Sequence, residues 1–247
     1  MKRWAGLLFG LCVYAIALVV TAPASLIDGR LHNATNGRLR LAQAQGTLWS
    51  GSGQLEIRDA GGRTGIAKAI AWNVRPGSLL RGHLVCEVIL DQTAKMFPVT
   101  VSLSRIELAN ADINLPASVL GLGVPKLAPL GLTGDVLIHI ARLSLARSAV
   151  EGTATLQWLA AGSTLTTVSP LGDYEVRLDG EGMTLHAYLR TIEGPLFLDG
   201  QGSWRQGTNP AFLANARINP PQQQQLAPLL RLIAVERGEG RFELQLN

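Results

Sequence analysis

The longest apolar run lies at the start of the chain. From Trp4 to Ile27 no residue carries a formal charge, and Leu7 to Val20 is almost wholly apolar, with Lys2 and Arg3 before it. About 20 such residues, rising about 1.5 Å each, span the hydrocarbon layer as a helix. Backbone polar groups in lipid must be satisfied within the segment itself. The pattern therefore predicts a membrane anchor in residues 1–27. The basic pair predicts a cytoplasmic N-terminus, with residues 28–247 on the far side. A cleaved secretory signal competes, because Ala22-Pro23-Ala24 has the small residues a signal peptidase reads. The run is longer than the usual hydrophobic core of about 7–15 residues, and the proline weakens the cut, so a retained anchor is favoured.

Beyond the anchor the period changes to two, the repeat of a half-buried strand. It runs through Arg38 to Leu41, Gln54 to Arg58, Ile66 to Val74, Phe97 to Leu103 and Leu132 to Leu145. The turn-delimited runs at Gly152–Trp158, Tyr174–Leu178, Met183–Leu189, Leu196–Trp204, Phe212–Ile218 and Arg241–Leu246 extend the series. Leu84 to Leu90 is apolar at both parities, as a strand covered on both faces would be. Gly61-Gly62 marks a turn. Two stretches differ. Asp112 to Leu115 leads into a short helix at Pro116–Leu120, with Pro125 and Pro129 opposing regular structure up to Gly131. From Gln222 to Val235, Leu226, Leu229, Leu230 and Ile233 fall at helical spacing.

The predicted fold is mainly β: an N-terminal transmembrane helix, then a curved, largely antiparallel sheet, a half-barrel or open sandwich, with a few short helices. With 27 Gly, 12 Pro and 16% charged residues, short strands joined by turns fit better than long helices. No Pro/Ser-rich linker divides residues 28–247, which predicts one domain. The net charge of +4 is spread along alternating segments, whereas a nucleic-acid patch would cluster. Nucleic acid is not expected as a partner.

Candidate chemistry is sparse. His32, His83, His139 and His186 stand apart, without the His or Cys companions of a zinc site. Gly51-Ser52-Gly53 lacks the strand–elbow–helix context of a nucleophilic serine. Asp173, Asp179 and Asp199 lie beside glycines and are read as turn formers. Cys86, alone beyond the anchor, reads as a small buried hydrophobe. The sequence supplies no catalytic, cofactor or metal residue and does not argue for an enzyme. Its candidate structural or interaction motifs are Gly46-Thr47-Leu48-Trp49-Ser50-Gly51, where Trp49 is a large apolar anchor between glycines, and Trp72 in the run ending at Pro76.

These motifs, with Ala71-Trp72-Asn73-Val74-Arg75-Pro76, Ser169-Pro170-Leu171-Gly172-Asp173-Tyr174 and Ile192–Gly200, give the whole chain a resemblance to the type II secretion system protein N (general secretion pathway protein N) family. The resemblance implies an accessory inner-membrane protein with a periplasmic domain. Such a protein would act with other components of the machine that carries folded exoproteins across the outer membrane. It brings no catalytic residues, adds Pro170, Leu171 and Gly172 to the motif residues, and leaves Trp49 and Trp72 as core or sheet-edge anchors. An exposed strand edge could receive a partner strand. The alternative is a membrane-anchored lipid-handling or envelope-homeostasis protein, with lipid held in an apolar β groove. A periplasmic hydrolase ranks last.

Overall fold

The computed structural model describes residues 2–58, 64–91, 95–146, 148–205, 208, 211–238 and 240–246. The chain forms two compact units, Met1–Met96 and Phe97–Asn247. The expected Gly61-Gly62 turn lies outside the described residues.

The first unit comprises α1 (Lys2–Val20), α2 (Ser25–Ala34), β1 (Leu39–Gly46), β2 (Ser50–Arg58), β3 (Thr64–Arg75), a 3-10 helix (Pro76–Arg81) and β4 (His83–Leu90). Each strand pairs antiparallel with the next, so consecutive hairpins build the sheet. The predicted parity of β3 holds: Ile66, Trp72 and Val74 are buried on one face. Trp72, Val74 and Leu41 form a small core with Ala24, against which Ile27 and Leu31 of α2, Trp49 and Cys86 pack. Every residue of β4 is half-buried and none is fully buried, so the expected full cover on both faces is not reached. Cys86 is only half-buried, a free thiol that desolvation holds above its ordinary pKa.

The anchor differs from its sequence expectation. The uncharged run extends to Ile27, but the helix stops at Val20 and turn residues follow at Thr21 and Ala24. A separate helix, α2, begins at Ser25 and sends Ile27 into the core. Among the described residues no helix is long and apolar enough to cross a membrane.

α2 also closes an edge of its sheet. The Leu41 N–H of β1 donates to Asp28 Oδ1 at 2.9 Å, and the Leu39 N–H to Thr35 Oγ1 at 3.1 Å. These two amides at the start of β1 are thus closed to a partner strand. The bond from Leu41, with the guanidinium of Arg40 at 3.2 Å, holds the Asp28 carboxyl below its ordinary value of 3.8. A depressed carboxyl stabilises the fold above its unfolded pKa, and that gain is lost as pH falls below about 4 through the folded value. Asp28→Asn is expected to flatten stability between pH 5 and 3, and to speed exchange of the Leu41 amide. An unchanged acid limb in a pH-dependent melt would contradict this.

The second unit comprises β5 (Phe97–Ser102), β6 (Arg105–Pro116), α3 (Ser118–Gly123), a 3-10 helix (Pro125–Leu130), β7 (Leu132–Ala146), β8 (Val150–Ser163), β9 (Gly172–Glu181), β10 (Thr184–Glu193), β11 (Leu196–Arg205), β12 (Ala211–Ile218), α4 (Gln223–Leu230), β13 (Val235–Gly238) and β14 (Arg241–Leu246). The strands again follow chain order until α4 interrupts; β14 then pairs with β12, leaving β13 outermost. Alternation on β12 is strict: Ala214, Ala216 and Ile218 are buried while Leu213, Asn215 and Arg217 are exposed. Leu226, Leu229 and Leu230 of α4 pack with that face, which Phe242 and Leu244 of the neighbouring β14 extend.

Three local expectations fail here. Asp112–Leu115 lies inside β6 because that strand pairs with β7 from Arg105 to Pro116, and the helix starts only at Ser118. Pro125 opens a 3-10 helix, where proline costs no hydrogen bond, and Pro129 lies inside that same short helix. The helix predicted from Gln222 to Val235 ends at Leu230, and Val235 opens β13. Among the described residues no pairing joins β1 to β4 in the first unit or β5 to β13 in the second, so the strands do not close into a barrel within either unit.

Candidate functional site

The first motif grips the chain where it leaves α1. Gly46 ends β1 and Ser50 begins β2, so Thr47, Leu48 and Trp49 form the hairpin tip. Thr47 Oγ1 accepts the N–H groups of Trp49 and Ser50, each at 3.2 Å, which fixes the turn. The outer rim then bonds to the N-terminal segment. The Leu48 N–H donates to the Ala22 carbonyl at 2.8 Å, the Ala24 N–H donates to the Gly46 carbonyl at 3.2 Å, and Pro23 bridges Thr47. Trp49 Nε1–H donates to the Val19 carbonyl at 2.8 Å. That oxygen belongs to the last turn of α1, where carbonyls lack helical partners.

Behind the tip, Trp72 is buried and its Nε1–H reaches the Thr47 carbonyl at 3.3 Å. Gly51 makes room for it: a Cβ there would run into the Trp72 ring and the Gln45 carbonyl. Both tryptophans are therefore anchors of a clasp, Trp72 inside and Trp49 at its outer face. Pro76 lies apart, opening an exposed 3-10 helix. Ala24, the small residue before the proposed cut, is 1% exposed and part of the core.

The late motif residues meet in the second unit. The Ser169-Pro170 bond is cis, Pro170 is exposed and Leu171 is buried. The Leu171 carbonyl accepts the Leu196 N–H at 3.1 Å, and Gly172 lies against Gly194 with no space for a side chain on either. The Tyr174 hydroxyl lies 3.0 and 2.9 Å from the carbonyl oxygens of Leu171 and Leu196, and burial pushes its phenol well above the usual value. Two motifs about 20 residues apart in sequence thus form one backbone contact.

Asp173, Asp179 and Asp199 lie within strands, not turns, because each falls in a paired register. Asp173 Oδ1 accepts the Ala160 N–H at 2.7 Å across a bulge in β8. Glu175 is held below its ordinary value by hydrogen bonds from Gln157 and Arg190. His139 Nδ1 lies 2.6 Å from Asp112 Oδ1 as exposed cross-strand neighbours. His32, His83 and His186 lie on other elements. Among the described residues no three His, Cys, Asp or Glu side chains converge on a metal position.

What the sequence missed is the partner of the first motif. Residues 19–24 carried a membrane signal, and nothing in their composition announced a β bridge. A family model described as type II secretion system (T2SS), protein N, matches residues 37–245. No curated protein matches the chain, and no solved structure does.

Proposed function

The chain belongs to the type II secretion system protein N family and takes part in type II secretion; we propose that it does so as an accessory inner-membrane subunit with a periplasmic interaction domain and no catalytic role. The span of the match supports the secretion part of this reading: it covers the strands of both units, from just before β1 to one residue short of the end of β14.

Membrane attachment is assigned to α1. Its described side chains, including Trp4, Phe9, Leu11, Val13, Tyr14, Leu18, Val19 and Val20, are exposed apolar groups around the helix, a surface suited to lipid. Lys2 and Arg3 would stay cytoplasmic. The buried Ala24 supports a retained segment, since a cut beside it would strip a core residue and the clasp bonds. Full-length chain in the carbonate-resistant membrane fraction is the expected result; a mature form beginning at Ser25 would refute the anchor.

Deletion of the gene tests the secretion role. Exoproteins should collect in the periplasm and return to the medium when the intact gene is restored. Normal export with altered envelope lipids would favour the lipid-handling alternative. The partner surface is expected away from β1, whose edge α2 occupies. β13, a four-residue outermost strand with every residue exposed, is the edge available in its own unit.

A further inference from the structure

The unit of residues 97–247 contains a cavity of about 240 Å³ whose lining is apolar throughout. Leu127, Leu132, Leu229 and Ile233 line it, together with Trp158 and Phe212 from the sheet. The wall residues with polar atoms spend them elsewhere. The Tyr174 hydroxyl serves the Leu171 and Leu196 carbonyls, the Ser163 hydroxyl donates to the Leu130 carbonyl, and Trp158 Nε1–H donates to the Thr133 carbonyl at 2.9 Å.

That chemistry selects the occupant. A buried water needs about two to four polar partners, and this wall offers none. A peptide segment would carry an N–H and a C=O per residue into a space where neither could be satisfied. A hydrocarbon chain carries nothing to satisfy. An engineered apolar cavity of about 150 Å³ binds benzene, so this larger one has room for more than a ring. Left empty, it would destabilise the unit in proportion to its volume. We infer that the cavity takes the end of a single acyl chain of a membrane lipid, with the head group outside. The inference adds a ligand to the secretion reading and stands independently of it.

Trp158 provides the readout, because bromine on a hydrocarbon quenches an indole only in contact. The full-length protein would be placed in nanodiscs whose phosphatidylethanolamine is brominated midway along one acyl chain. Quenching is expected in the wild-type protein, and the Trp158→Phe variant should lose that component while Trp4 and Trp49 keep theirs. Val176→Phe, which fills the cavity from the β9 wall, should weaken the Trp158 component at least about tenfold while leaving the melting temperature unchanged or higher. Leu156→Phe serves the same purpose should Val176→Phe not fold. Lipid co-purified from detergent and weighed by mass spectrometry should fall in the same variants. No Trp158 quenching in the wild type, or equal quenching in the filled variants, would overturn the inference and leave the space to an apolar side chain of a partner protein. Since this assay contains no secretion machinery, its failure would leave the secretion role untouched.

Discussion

Replacing Trp72 by alanine is expected to destabilise the unit of residues 1–96 by about 3–5 kcal/mol, the range for truncating a buried large aromatic. Trp72 is 7% exposed and packs with Leu41, Val74 and Ala24. Its loss empties the centre of a core that has few other large members, and leaves the Thr47 carbonyl without the indole N–H. Gly51, which exists beside that ring without a side chain, cannot fill the gap. Trp49→Ala should cost less, because Trp49 is only half-buried. Hydrogen exchange in the full-length protein would show the difference as faster exchange across β1 to β4. A Trp72→Ala protein within about 1 kcal/mol of wild type would mean that this residue is not the core it resembles.

The second large effect is expected at Gly194. A Cβ there falls on the Cα of Gly172 and 2.8 Å from the Leu171 carbonyl. Backbone, unlike a flexible side chain, has nowhere to swing. The residue also sits at φ +130, a region side chains rarely enter. Gly194→Ala should therefore cost more than about 3 kcal/mol and free the Leu171–Leu196 bond. Gly77→Ala is the comparison: nothing lies within 4 Å of its Cβ position, and a change of less than about 1 kcal/mol is expected. Equal melting temperatures for the two variants would show that the glycine contact can open without cost.

Alternation made the sheets legible. Ile66, Trp72 and Val74 on β3, and Ala214, Ala216 and Ile218 on β12, face inward as their parity requires, because one side of each sheet must be buried. Sequential hairpins follow from turns placed between such runs. The periods of residues 112–115 and 231–235 misled because short apolar stretches suit helix and strand alike, and tertiary pairing decides. The site was half legible. Glycines beside tryptophan marked Gly46–Gly51 as a special turn, whereas the approach of Gly172 to Gly194 was not legible, the two lying in separate motifs. The partners of that turn were not legible, because a hydrogen bond to the Val19 or Ala22 carbonyl involves backbone that every residue possesses. Asp28 and Thr35 hid for a related reason: each caps an amide of β1 across a helix that the anchor reading had swallowed in part.

The clasp also has a mechanical sense. The bonds from Leu48 to Ala22 and from Ala24 to Gly46 flank the Pro23–Thr47 bridge, and the Trp49 indole adds a further tie at Val19. A pull along α1 therefore meets several ties together before it reaches the chain of α2. The load enters β1 and β2 at the tip of their hairpin, where the buried Trp72 ring braces the turn from behind. Tension on the helix would be delivered to the sheet as a whole, making the first unit a fixed mount rather than a weight on a loose tether.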